Sequence, residues 1–151
     1  MLANYFSSSS SSKPKHVAYI VSYIQAAMDS GASNHCFPDS YRGEAHDSSR
    51  NSVPIGTAND TVMKSTAADR IILPGILAAA RECNKFAEVS LPLISVGKFC
   101  QYGMKVMFDD TSVTVEDMKG QIVLQGERDP IRNLYMIPVA QSTTVHRKIC
   151  N

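Results

Sequence analysis

The feature that most constrains this chain is an apolar-leaning run that ends in a single acidic turn. Residues 17–24 are rich in valine, isoleucine and tyrosine, which favours an extended strand, and residues 25–28 suit a second strand. The run leads directly into Asp29-Ser30-Gly31. A carboxylate followed by a hydroxyl and a glycine is typical of a sharp turn. The pattern therefore predicts one acidic side chain held at a strand end, inside a largely dry site.

Size and charge predict one globular domain without a strongly charged partner. A chain of 151 residues is long enough to bury a real core. Its formal net charge of +1 creates no strong field toward nucleic acid or an anionic membrane. No apolar stretch approaches the roughly 18 residues of a membrane span, and the N-terminus lacks the features of a secretory signal. We therefore expect a cytoplasmic protein with neither a membrane nor a nucleic-acid partner.

Composition divides the chain into four parts. Residues 1–15 include six consecutive serines and predict a flexible Ser-rich leader. Residues 16–108 form the predicted main domain, and residues 109–140 a β-hairpin extension of it. Residues 141–151 are polar and predict a frayed tail. No internal repeat is visible, so the chain does not carry both halves of a pseudo-symmetric enzyme.

Short apolar segments separated by turn residues predict a mostly β fold. The candidate strands after the acidic turn are 53–56, 59–63, 70–73, 86–91, 104–108, 111–115, 121–124 and 133–139. Residues 76–82 contain good helix formers and predict one or two helical turns. Apolar residues at 93, 94, 96, 99 and 102 predict one short amphipathic helix, which Gly103 ends.

The acidic turn suggests peptide hydrolysis by paired carboxylates. One ionised carboxylate can take a proton from water while a neutral one protonates the substrate carbonyl. Two such groups in contact cannot both ionise, so they share a proton. The chain offers this turn only once, so two copies of the chain must meet to form one active site. The alternative interpretation is an ordinary surface turn, because Asp, Ser and Gly all favour turns.

Each of the four residues that follow the predicted catalytic residue, Asp29, has an expected supporting role. Ser30 would donate a hydrogen bond that stabilises the loop, and Gly31 would let the backbone approach the carboxylate closely. Ala32 is small enough for a crowded turn, and Ser33 could donate to the Asp29 carboxylate.

Four blocks of sequence follow one another along the chain: the pentapeptide DSGAS at 29–33 with His35 two residues on, VPIGTAND at 53–60, LPLISVGKFC at 91–100 followed by Gly103, and GQIVLQGERDP at 120–130 with NLYMIP at 133–138. In these blocks and their order the chain resembles the protease region of copia-type retrotransposon polyproteins, a distant relative of the retroviral aspartic proteases (retropepsins). The blocks span about residues 25–140. The last block resembles the start of the pre-integrase region.

The resemblance implies a small, closed barrel-like retropepsin-type domain that acts as a homodimer. It implies an aspartic endopeptidase of a retroelement, which cuts an extended polypeptide, the polyprotein, without metal or cofactor. Asp29 would be catalytic, Ser30 would bond across the dimer, and Gly31 and Ala32 would contact substrate through their backbone. The flap tip is expected at residues Lys64, Ser65, Thr66, Ala67 and Ala68, where the glycines usual in related flaps are missing.

Two non-enzymatic interpretations remain open. A decayed or repurposed retroelement domain would keep the β fold as an interaction module, and the missing flap glycines favour it. An unrelated small β domain could instead bind a ligand or protein. Solution mass would help to choose among them, because a strict monomer cannot assemble the two carboxylates.

Cysteines and histidines predict no further chemistry. The cysteines form no Cys-x-x-Cys pair, so we expect free thiols, no structural zinc and no Cys36–histidine nucleophile pair. The candidate zinc pairs, His35-Cys36 and His146 with Cys150, are too few for a four-ligand site. The four histidines are expected to titrate near neutrality; they are His16, His35, His46 and His146.

Overall fold

The computed structural model describes residues 19–46 and 52–144. The predicted Ser-rich leader and residues 145–151 of the predicted tail lie outside the described residues. His16, His146 and Cys150 lie outside them as well.

The described part of the chain is mostly β, with one short α-helix, as the sequence predicted. The strands in chain order are β1 (Tyr19–Asp29), β2 (His35–Pro38), β3 (Glu44–Ala45), β4 (Pro54–Gly56), β5 (Val62–Lys64), β6 (Ala67–Arg70), β7 (Glu82–Phe86), β8 (Leu93–Ser95), β9 (Lys105–Phe108), β10 (Ser112–Glu116), β11 (Ile122–Asp129) and β12 (Leu134–Thr144). The helix α1 spans Val96–Gln101, and a 3₁₀ helix at Ala78–Arg81 precedes β7. Neither described helix has the length and apolar character that a membrane crossing requires.

Ten of the described strands form one sheet. Their order is β3-β6-β7-β2-β8-β1-β12-β11-β10-β9, and β4 pairs with β5 in a separate two-stranded sheet. The large sheet therefore ends at β3 on one side and at β9 on the other. A closed barrel, as the resemblance implied, is not found among the described strands, because β3 and β9 do not pair.

Strand β1 has a partner on each side. It pairs antiparallel with β12 from Tyr19, opposite Thr144, to Ala27, opposite Met136. It pairs in parallel with β8 at its other edge, where Asp29 lies opposite Ser95. The prediction of two strands at 17–24 and 25–28 was wrong. The β12 register continues without a break, so nothing interrupts the strand between them.

One apolar core joins the two ends of the described chain. It contains residues from β1, the 37–41 segment, the 3₁₀ region and helix α1, together with residues of β10 and β12. Its buried members include Ala26, Phe37, Tyr41, Ile71, Phe99, Val113, Val115, Ile137 and Val139. The segment 109–140, predicted as an extension, thus shares its sheet and its core with the rest of the chain.

Helix α1 begins three residues later than the periodicity predicted. Leu93–Ser95 is extended because it pairs with β1, and the Ser95 side chain caps the helix by accepting a hydrogen bond from the Lys98 amide at 3.0 Å. Gly103 ends the helix as predicted. Its φ of 80° lies in the left-handed region that favours glycine, and the Gly103 amide donates to the Cys100 carbonyl at 3.0 Å.

Tyr41 offers a direct test of how the core is tied to β12. Its buried hydroxyl donates to the Ala140 carbonyl at 2.9 Å and accepts from the Ile72 amide at 3.1 Å. Tyr41→Phe leaves both backbone groups without that partner, so we expect a loss of about 1–3 kcal/mol in the free energy of unfolding by denaturant. The control is Tyr23→Phe, on a side chain that is 68% exposed. An equal loss in both variants would contradict the assignment.

Candidate functional site

Asp29 is the last residue of β1 and is half-buried. Its carboxylate oxygen Oδ1 accepts a hydrogen bond from the Gly31 amide at 2.7 Å. A Cβ added at Gly31 would lie 3.3 Å from that same oxygen, so glycine permits this close approach of backbone to carboxylate. Two residues past the strand, the chain therefore turns back on its own acidic side chain.

The loop 29–34 closes across the end of β8. This follows from the strand order, because β8 lies between β1 and β2, the two strands that the loop joins. The Ser95 hydroxyl at the end of β8 donates to the Ala32 carbonyl at 2.6 Å. The same oxygen accepts from the Lys98 amide. One buried serine thus links the loop, the strand and the start of helix α1.

His35 lies beneath this loop and is fully buried. Its Nδ1 accepts a hydrogen bond from the Ser95 amide at 2.9 Å, so the ring proton lies on Nε2, which donates to the Ala80 carbonyl at 2.7 Å. The ring also contacts Phe99 edge-on, with 5.1 Å between ring centroids. Both ring nitrogens of the neutral imidazole are therefore hydrogen-bonded.

The expectation that His35 titrates near neutrality was wrong. Burial lowers its pKa from 6.5 to about 4, and the positive charge of Lys98 lowers it further, while the hydrogen bond to Ala80 opposes the change. His35 is therefore a neutral structural group at physiological pH.

The cysteines near the site are free thiols, as predicted for Cys36, Cys83 and Cys100. Burial raises the pKa of the Cys36 thiol, and the negative charge of Asp29 raises it further. A raised pKa opposes formation of the thiolate, which is the nucleophilic form. The geometry therefore disfavours Cys36 as a nucleophile.

The remaining residues of the predicted loop have different environments. Ser30 and Ser33 are exposed, while Ala32 is half-buried and contributes its carbonyl to Ser95. The hydrogen bond expected from Ser33 to Asp29 is not found in the described part of the chain, where the Gly31 amide is the donor instead. The hydrogen bond expected from Ser30 across a dimer stays a prediction.

The hairpin β4–β5 forms a two-stranded sheet of its own, and its turn lies at residues 57–61. Hydroxyl and amide groups of Thr57, Asn59 and Thr61 bond to one another in this turn. Asn34 of the loop and Val53 at the hairpin base line one cleft of about 130 Å³. The base of the hairpin is thus adjacent to the candidate site.

The residues predicted for the flap tip do not lie at the turn of hairpin β4–β5. They are Lys64, Ser65, Thr66, Ala67 and Ala68. Lys64 instead ends β5, and the two alanines begin β6, opposite Lys85 and Asn84 of β7. The register fixes the turn, because Pro54 pairs with Lys64 and Gly56 with Val62.

Two partners of the site, Ser95 and Ala80, were not identified from the sequence. Ser95 had a detectable signal, since serine before an apolar periodic segment is a typical helix N-cap. Ala80 had none, because it contributes only a backbone carbonyl and lies 45 residues from His35.

Comparisons with models of known families, with curated proteins and with solved structures found no match to this chain. Among residues 19–46 and 52–144, no group of three or more His, Cys, Asp or Glu side chains is placed to hold a metal ion.

The lowered pKa of His35 predicts a pH-dependent stability. Below pH 6.5 the unfolded chain binds a proton at His35, while the folded chain does not until about pH 4. The contribution of neutral His35 to the free energy of unfolding is therefore complete above pH 6.5. It is lost as the pH falls toward 4, by about 3 kcal/mol in total.

Denaturant unfolding between about pH 7 and pH 4 measures this slope. We expect His35→Gln to reduce the slope, and the control Val113→Ala, at a buried position without a titrating group, to leave it close to that of the wild type. A wild-type slope in His35→Gln would contradict the assignment.

Proposed function

We propose that this chain is an aspartic endopeptidase of the copia-type, retropepsin-like class, active as a homodimer with one Asp29 from each chain. The observation that carries the proposal is the position of Asp29, at the end of a strand paired on both sides, on a loop whose Ala32 carbonyl accepts from the buried Ser95 side chain. The motif resemblance supports the same residue.

The chemistry requires two carboxylates that share one proton. The ionised one takes a proton from the attacking water, and the neutral one protonates the scissile carbonyl. Asp29 uses Oδ1 for the Gly31 amide, and Oδ2 accepts no hydrogen bond from the described residues. That second oxygen is therefore available to water or to the partner carboxylate. A loop with fixed hydrogen bonds preserves the alignment that the reaction needs.

The exposed loop tip supports a two-fold arrangement. Ser30 and Gly31 are exposed, and glycine presents no side chain to a second copy of the same loop. A stable homodimer would bury on the order of 2,000 Å² or more. Each chain would contribute one Asp29 at the axis.

An extended polypeptide, such as a retroelement polyprotein, is the expected substrate. It would lie between the loop 29–34 and the hairpin β4–β5, bound by main-chain hydrogen bonds, with alternate side chains in subsites. The hairpin supports this because it forms a sheet of its own, next to the loop.

A second candidate is a decayed or repurposed retroelement domain that acts as a non-catalytic interaction module. The hairpin turn favours it, because residues 57–61 contain no glycine and are tied together by Thr57, Asn59 and Thr61. Such a turn is stiffer than a glycine-rich tip that must close over a peptide.

Asp29→Asn tests the enzyme directly. We expect cleavage of an unfolded protein and of a fluorogenic peptide library to fall about a hundredfold to ten-thousandfold, because neither chain then has a carboxylate to take or hold the shared proton. The fold should survive, since the asparagine oxygen can still accept from the Gly31 amide. A statine-type inhibitor should stop the wild-type reaction. The assays are run at about pH 6, where His35 is still neutral.

The control is Asp110→Asn, which removes an equal charge from a 91% exposed carboxylate paired with Arg128. It should cleave at the wild-type rate. Cleavage that survives Asp29→Asn would exclude the mechanism, and a wild-type chain that cleaves nothing while remaining folded would favour the interaction module.

Mixing chains tests the dimer. If wild-type and Asp29→Asn chains exchange freely, mixed dimers carry one carboxylate and are inactive. Activity then falls with the square of the wild-type fraction, to about one quarter in an equal mixture. An active monomer would instead retain about one half, which would contradict the shared site.

A further inference from the structure

We propose that His35 is a positioning residue for Asp29, acting through the Ser95 amide rather than by contact with substrate. The inference rests on the proposed function and deepens it. It assigns to one buried imidazole the task of holding the loop 29–34 in its working geometry.

The path from His35 to Asp29 has two short steps. His35 Nδ1 accepts from the Ser95 amide at 2.9 Å, and Ser95 is the register partner of Asp29 between β8 and β1. The Ser95 hydroxyl then donates to the Ala32 carbonyl at 2.6 Å, within the loop itself. A displacement of Ser95 would therefore move the strand end and the loop together.

The opposite side of the ring is also held. Nε2 donates to the Ala80 carbonyl in the 3₁₀ helix, and Phe99 packs against the ring. Because His35 is fully buried, water cannot replace either hydrogen bond. The imidazole thus connects the 3₁₀ helix to the end of β8 as a rigid link.

The chemical requirement is for one acceptor and one donor on the same short side chain. A phenylalanine keeps the ring volume and the Phe99 contact but leaves the Ser95 amide and the Ala80 carbonyl unpaired. Asparagine places an oxygen near the position of Nδ1 and can still accept from Ser95. Glutamine places an amide nitrogen near the position of Nε2 and can still donate to Ala80.

These three substitutions separate positioning from bulk stability. We expect His35→Phe to lower kcat about tenfold to a hundredfold with little change in KM, because the reacting group is misplaced while the binding surface remains. His35→Asn should recover most of kcat, since it keeps the bond to Ser95. His35→Gln should recover little, since it keeps only the bond to Ala80.

The matched control is Val113→Ala, a fully buried core substitution in β10. It destabilises the fold through a cavity, yet it should leave kcat unchanged under conditions where both variants are folded. Equal loss of kcat in Val113→Ala and His35→Phe would overturn the inference. Equal recovery by asparagine and glutamine would overturn it as well.

Hydrogen exchange gives a readout that needs no activity. We expect His35→Phe to speed amide exchange selectively at Gly31 and Ser95, while Val113→Ala affects the two amides only as much as the whole core. Unchanged exchange at these amides in His35→Phe would overturn the inference. Cleavage that survives Asp29→Asn would instead end the proposed function and leave the exchange result standing, so the two failures are distinguishable.

Discussion

The two-sided pairing of β1 is the interaction on which the rest of the structure depends. One edge of the strand follows β12 over nine register pairs, and the other meets β8 in parallel near its end. Ala26 and Ala27 are buried at this point, where the small side chains permit close packing. With both edges satisfied, the strand cannot shift without breaking ladders on two sides. The position of Asp29 is therefore a consequence of backbone hydrogen bonds.

Buried polar groups around the loop are satisfied within one chain. His35 and Ser95 are fully buried, and each bonds to backbone groups of another segment. An unpaired polar atom there would cost free energy, whereas paired ones select a single arrangement. The loop geometry in the proposed enzyme thus needs no contact from a second chain. The partner would supply its own carboxylate, the hydrogen bond expected from Ser30 and the covering surface.

Local sequence signals predicted the element types better than their pairing. Alternating and clustered apolar residues indicated short strands, and Gly103 marked the helix end. The start of α1 was missed because Leu93–Ser95 resembles a first helical turn until β1 pairs with it. Lys64 was not recognised as the last residue of hairpin β4–β5 for a similar reason. The register of the hairpin is fixed by the pairing of Pro54 with Lys64, which apolar periodicity does not encode.

The candidate site likewise has a part that the sequence predicted and a part that it did not. Asp29 and Gly31 lie two positions apart in sequence and follow from turn chemistry, and the Gly31 amide bonds to the carboxylate as such a turn allows. The supporting contacts join residues far apart, His35 with Ala80 and Ser95 with Ala32. Backbone carbonyls leave no trace in residue type. Sequence could therefore indicate the acidic group but not the framework that holds it.

The register of β1 with β12 has a topological consequence. Tyr19 and Thr144, at opposite limits of the described chain, are neighbours across one ladder. A short linker could bridge them, so the sheet is suited to circular permutation, with new termini opened at an exposed turn such as 57–61. For the same reason, a host polypeptide could carry this domain as an insert while its own flanking segments stay side by side.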